Sequence, residues 1–197
     1  MLSNLLSFLL GILASAIVWF ITSKVSRVKI EFPIELMGDS DPCDESKYHY
    51  NIEVINKGKG ELIDLHMQAK ITIKGADKKN PGLSCFALLN LDYFCHFPSL
   101  PYRGAKDKFG SRRCSGRLIY AINMDGAYEE FKKIFYTDSI IEKAKNHTLQ
   151  LDDIFCAYPN AEIQFYLFGY DSFTGARKMY KSKYYRKTNI RFLALPS

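Results

Sequence analysis

Apolar residues run almost unbroken from Leu5 to Ile21, interrupted only by Ser7, Gly11 and Ser15, and the first 23 residues carry no charged side chain. As a helix, residues 2–22 reach about 31 Å, close to the roughly 30 Å hydrocarbon core of a bilayer. The pattern predicts a transmembrane helix over residues 1–23. Beyond it the period falls to two, the alternation of a half-buried strand. Val28, Ile30, Phe32 and Ile34 alternate with Lys29, Glu31 and Pro33, and Tyr48, Tyr50, Ile52 and Val54 alternate with His49, Asn51 and Glu53. After a turn at Asn56-Lys57-Gly58-Lys59-Gly60, Leu65, Met67, Ala69, Ile71 and Ile73 occupy one face of a return strand, which predicts a β-hairpin. Arg117 to Asn123 reads as another strand. A second hairpin is expected from Glu162 to Tyr185, turning at Asp171-Ser172-Phe173-Thr174-Gly175, with a closing strand over Thr188 to Leu195.

One segment keeps a different period. Tyr128, Phe131, Ile134, Phe135, Ile140 and Ile141 recur at three and four, so Gly126 to Lys145 is read as one or two amphipathic helices. Turn-rich loops are expected at Gly38 to Lys47, Gly75 to Leu83 and Phe97 to Gly116. The 174 residues from Lys24 to Ser197 suffice for one domain with its own core. The expected fold class is mainly β: an N-terminal transmembrane helix followed, over residues 24–197, by a β-sandwich with a helical segment near residues 126–145.

A cleaved signal peptide competes with a retained anchor, because Ala14-Ser15-Ala16 offers a small-x-small site. Against it, no Lys or Arg precedes the apolar run, and Ile17 to Ile21 continue apolar past that site. Lys24, Arg27 and Lys29 follow the helix, so the positive-inside rule places the N-terminus outside and the C-terminal domain in the cytoplasm, single-pass in the cell (inner) membrane. Five cysteines at irregular spacings, an odd number without CxxC, fit a reducing compartment better than an exported disulfide framework. Asn146-His147-Thr148 forms a glycosylation sequon that a cytoplasmic domain would not use. Ser7, Gly11 and Ser15 lie four apart on one helix face, and two readings stand: a packing stripe for a homo-oligomer, or ordinary membrane-helix composition.

Gly169-x-Asp171-x-x-Thr174-Gly175, followed by Tyr184-Tyr185 and by Asn189-Ile190-Arg191-Phe192, resembles the last strands of the cytoplasmic domain of inward-rectifier potassium channels. The Ile52–Ile73 segment with its Asn56 turn is similar to an earlier part of that domain. The resemblance covers about 50 residues in two patches, and its residues are mostly those that turns require. It implies an immunoglobulin-like cytoplasmic sandwich that assembles around an axis beneath the membrane. The chain departs from that family in having one membrane helix and no TxGYG filter sequence, so channel activity of that type is not implied.

Catalytic chemistry has little to stand on. His49, His66, His96 and His147 lie far apart without HxH or HExxH spacing, and no nucleophile elbow or P-loop occurs. Cys95-His96 with Cys85 and Cys114 fits no common zinc spacing, so no metal and no cofactor is expected. Asp152-Asp153 reads as the acidic first turn of a short helix rather than as a catalytic pair. Positive charge is the stronger signal. Arg177, Lys178, Lys181, Lys183, Arg186, Lys187 and Arg191 fall within fifteen residues, interleaved with Tyr180, Tyr184 and Tyr185. Lys181, Lys183 and Tyr185 share a strand face by alternation, and with Arg186 and Lys187 they are the expected contacts for an anionic ligand or lipid. A second basic group holds Arg103, Lys106, Lys108, Arg112, Arg113 and Arg117. Such clusters serve as a solvated face, as a grip on anionic lipid, or as a site for a nucleotide, nucleic acid or acidic protein.

These features point away from an enzyme. The expected function is a membrane-anchored sensor whose cytoplasmic domain receives a ligand or partner and whose anchor oligomerises to perturb the lipid bilayer. In architecture it resembles the membrane effectors of bacterial antiviral defence and toxin systems. The alternative is a membrane-tethered adaptor that recruits a cytoplasmic partner or acidic ligand.

Overall fold

The structure is a computed structural model that describes residues 2–25, 27–41, 44–75, 82, 84–93, 99–101, 117–123, 138–146 and 148–192. The apolar N-terminus forms helix α1, Leu2–Val25, whose Asn4–Thr22 portion is long and apolar enough to cross a membrane and has 0% of its surface buried against the rest of the chain. Among the described residues two short helices, α2 (Asp138–Lys145) and α3 (Leu151–Ala157), follow far downstream, and the other described residues after α1 are mainly β.

The strands are β1 (Ile30–Glu31), β2 (Leu36–Asp41), β3 (Asp44–Asn56), β4 (Leu62–Lys74), β5 (Ser84–Tyr93), β6 (Ser99–Leu100), β7 (Arg117–Asn123), β8 (Ala161–Asp171), β9 (Arg177–Lys181) and β10 (Ile190–Phe192). They hydrogen-bond in the order β10-β2-β3-β7-β5-β4-β8-β9, with β1 against β3 and β6 against β4. Strand β5 joins two groups: its Ser84–Leu89 portion pairs with β4 and its Asn90–Tyr93 portion with β7. The alternation read in the sequence is obeyed. Tyr50, Ile52 and Val54 from β3, Met67, Ala69, Ile71 and Ile73 from β4, and Ile163, Phe165 and Leu167 from β8 all enter one core, joined by Leu151, Ile154 and Phe155 from α3.

The expected hairpin between β3 and β4 does not form. Both edges of β3 are taken, by β2 and β1 on one side and β7 on the other, and both edges of β4 are taken by β5 and β6 and by β8. The Asn56–Gly60 turn therefore carries the chain from one strand group to the other. The acidic stretch read as a loop over Gly38 to Lys47 is mostly strand: Asp39 pairs with His49, Ser40 with Tyr48 and Asp41 with Asp44 after a register shift. The predicted first strand over Val28 to Ile34 shrinks to β1. The hairpin of β8 and β9 forms as expected, with Tyr166 opposite Lys181 and Tyr170 opposite Arg177, and Gly175 at its turn adopts φ 66°, which a side chain would resist. Within the expected closing strand, β10 runs parallel to β2, and residues 193–195 of that expectation lie outside the described residues.

Helix α2 is the C-terminal part of the predicted helical region; residues 126–137 of that prediction lie outside the described residues. Asp152 and Asp153 begin α3, as their acidity predicted. The Asp153 carboxylate accepts from the Gln150 amide at 3.0 Å and pairs with Lys143 at 2.6 Å, which locks the end of α2 to the start of α3.

Candidate functional site

The chain offers an apolar helix, a junction and a basic hairpin. Ser7, Gly11 and Ser15 stay on one exposed face of α1, and a Cβ placed on Gly11 meets nothing within 4 Å. Thr22, near the other end of α1, returns its hydroxyl to the Val18 and Trp19 carbonyls at 2.8 and 3.0 Å, so its polarity is satisfied within the helix.

Beyond α1, residues Arg27–Lys29 lie on the Asn56–Gly60 turn. Lys57 N donates to Lys29 O at 2.8 Å, and Lys59 N and Gly60 N donate to Arg27 O at 3.0 and 3.3 Å. Asn56 is 0% exposed and organises this contact. Its Oδ1 accepts from Gly58 N at 2.9 Å and Lys29 N at 3.3 Å, while its Nδ2 donates to Gly60 O at 2.7 Å and Leu100 O at 3.3 Å. A Cβ at Gly58 would overlap the Arg27 carbonyl oxygen and the Lys29 amide nitrogen, so only glycine admits the incoming chain. Sequence reasoning saw Asn56 and Gly58 only as turn residues. The local signal for a turn and for a docking cradle is the same.

The five residues expected to meet an anion are divided by the fold. Lys181 and Lys183 are exposed. Tyr185 is not: it is 0% exposed, packs edge-on against Phe165 at 5.6 Å between centroids, and donates its hydroxyl to Pro33 O at 2.6 Å. The alternation that grouped it with Lys181 and Lys183 breaks after β9. Ser182 turns inward, where Ser182 Oγ accepts from Phe165 N at 2.9 Å and Ser182 O accepts from Gln164 Nε2 at 2.8 Å. Lys183 and Tyr184 then both face out, and Tyr185 returns to the core through a bridge to Ile163. Burial pushes the Tyr185 phenol far above its ordinary 10.0.

Arg186 is committed to Glu162, with Nε 2.8 Å from Oε1 and Nη2 on the same oxygen. Lys74 lies 3.5 Å from the other oxygen. The Arg186 hydrogen bond, then the charges of Lys74 and Arg186, hold the Glu162 carboxyl below its ordinary 4.5, against the opposing effect of burial. Lys187 reaches Cys156 Sγ at 3.0 Å and Asp152 at 3.8 Å, and those two partners, Cys156 first, raise its ammonium above 10.5. Of the five, Lys181 and Lys183 have no acidic partner among the described residues. The second basic group falls outside the described side chains, as do Cys95, His96 and Cys114. Among the described residues no three His, Cys, Asp or Glu side chains gather as a metal ion would need. Comparison with protein-family models and with curated proteins finds no match to the chain, so the site is argued on its own geometry.

Proposed function

We propose that this chain is a non-enzymatic, single-pass membrane effector of a bacterial antiviral defence or toxin system, anchored in the cell inner membrane with its β domain in the cytoplasm. The domain senses a ligand or partner, and anchors brought together along Ser7, Gly11 and Ser15 disturb the bilayer. The observation that carries this reading is the junction: Arg27 and Lys29, which follow α1 closely in the chain, are bonded to the turn organised by buried Asn56. A domain held this tightly can turn or crowd its anchor when it changes partner. The Lys24, Arg27 and Lys29 flank supports the orientation. For the finer fold, the shared core of β3 and β4, which belong to two strand groups linked by β5, supports an immunoglobulin-like sandwich.

Induced expression with a membrane-potential dye tests the reading. Depolarisation is expected with the full chain and is lost when Gly11 and Ser15 become Leu, since bulky side chains there hold helices apart. Gly11→Leu meets no neighbour within the chain, so the β domain stays folded. A full chain that leaves potential and growth unchanged under every condition, including alongside its genomic neighbours, ends the effector reading. The tethered adaptor then takes its place.

A further inference from the structure

Strands β5, β4, β8 and β9 form a continuous platform with one face in the core and the other turned outward. The outward face is unusual in composition. Register sets Phe86 of β5 opposite Thr72, Leu88 opposite Lys70, Tyr166 opposite Gln68 and Lys181, and Phe168 opposite His66 and Met179. Phe86 is 55% exposed, Leu88 44%, Met179 55% and Tyr170 39%, so this is solvent-facing apolar surface and not an extension of the core. Cations lie among the rings. Lys70 Nζ sits 4.3 Å from the Phe86 centroid, Arg177 Cζ sits 5.6 Å from that of Phe168, and the His66 ring stacks on Phe168 at 6.3 Å. Glu162, a carboxylate of this face, is neutralised at its end of β8 by Arg186 and Lys74.

We infer that this face binds single-stranded nucleic acid, with bases stacked on its exposed rings and phosphates drawn to Lys70, Arg177 and Lys181. Tyr166, Phe168 and Tyr170 alternate along β8 and so repeat about every 6.7 Å, with the first and last about 13 Å apart. Such a ladder accepts successive splayed bases without reading their identity, because every base has a π-face. Two other occupants fit less well. A membrane surface takes apolar side chains that insert beyond the headgroups, whereas Tyr166 and Phe168 lie half-buried, with Arg177 over the Phe168 ring. A protein interface keeps its cations at the rim and depletes lysine at the centre, whereas Lys70 stands on β4, an interior strand of the platform. The inference is independent of what the anchor does.

The test uses the full chain in uncharged detergent micelles and fluorescence anisotropy of labelled oligo(dT) and oligo(U) of about 12 nucleotides. Micromolar binding is expected, falling steeply as salt rises from about 50 to 200 mM. Phe86→Ala and Tyr170→Ala each weaken it about fivefold or more with the salt slope unchanged, whereas Lys70→Gln with Lys181→Gln weakens it and flattens the slope. All four side chains are at least partly solvent-facing, and circular dichroism confirms that the variants fold. Failure to bind either oligonucleotide overturns the inference. So does binding that heparin, a polyanion without bases, abolishes equally in the wild type and the ring variants while those variants keep full affinity. Vesicles of phosphatidylcholine and phosphatidylglycerol that respond to the ring variants, when the oligonucleotides do not, reassign the face to lipid. None of these readouts involves depolarisation, so this inference and the effector reading fail separately.

Discussion

Asn56 satisfies four backbone groups with one buried amide: Lys29 N, Gly58 N, Gly60 O and Leu100 O. Asn56→Ala leaves these groups to water or to nothing, so we expect a loss of about 2–4 kcal/mol, seen as a fall in melting temperature of roughly 5–15 °C in detergent. Asn56→Asp, nearly the same shape, should be no better, because a carboxylate cannot donate to Gly60 O and Leu100 O and brings a charge into a buried site. Rescue by Asp would show that the cradle depends on shape alone. Tyr185 gives a second residue-level prediction with a pH signature. Its phenol is held neutral by burial, so its stabilising contribution is full below pH 10, the ordinary value, and is lost as pH rises toward the elevated folded value. Tyr185→Phe should cost about 1–2 kcal/mol at neutral pH by orphaning Pro33 O and should flatten the alkaline limb of the unfolding curve. An unchanged alkaline limb would place the titration elsewhere.

Among the elements, β8 is fixed at its start by Glu162, whose depressed carboxyl couples the strand to the C-terminal segment through Arg186. A depressed folded value means that the ionised form stabilises the fold above the unfolded 4.5 and that this contribution disappears as pH falls below it. Glu162→Gln is expected to cost about 1–2 kcal/mol at pH 7 and to remove most of the added loss of stability in acid, measured by urea unfolding at pH 7 and pH 4. Elements of this kind were legible in the sequence to different degrees. The inward faces of β3 and β4 follow from alternation, since only one side of each carries a continuous apolar row. Strand β5 is hidden by its own outward side: Phe86 and Leu88 face solvent while Ala87 and Leu89 face the core, so Ser84 to Tyr93 shows no alternation to read. The pairing of β3 with β7 and of β4 with β8 is set by residues 62 to 109 positions apart, from Ile55 with Arg117 to Leu62 with Asp171, beyond the reach of any local pattern. Tyr185 was misplaced for a related reason, because the parity change at Ser182 is made by hydrogen bonds to β8 and leaves no mark on the local spacing.

For the whole molecule the decisive contact is where Arg27–Lys29, beyond α1, meet the Asn56–Gly60 turn, because a sensor and an anchor act as one only if they are mechanically joined. Gly58 is the position that tests this. Any side chain there overlaps the Arg27 carbonyl and the Lys29 amide, both backbone groups that cannot rotate away, so Gly58→Val forces the incoming chain off its cradle. The strands need not suffer, since Gly58 lies in the turn and not in a ladder. Amide exchange separates the two outcomes residue by residue. Protection should fall about 10- to 100-fold at Lys57, Lys59 and Gly60, whose acceptors belong to Lys29 and Arg27, while the amides paired between β4 and β8 keep theirs. If the junction transmits the signal, the same variant still inserts in the membrane and no longer depolarises it. Depolarisation that survives a demonstrably released junction would mean that the anchor acts by association alone, with the β domain serving only to bring copies together.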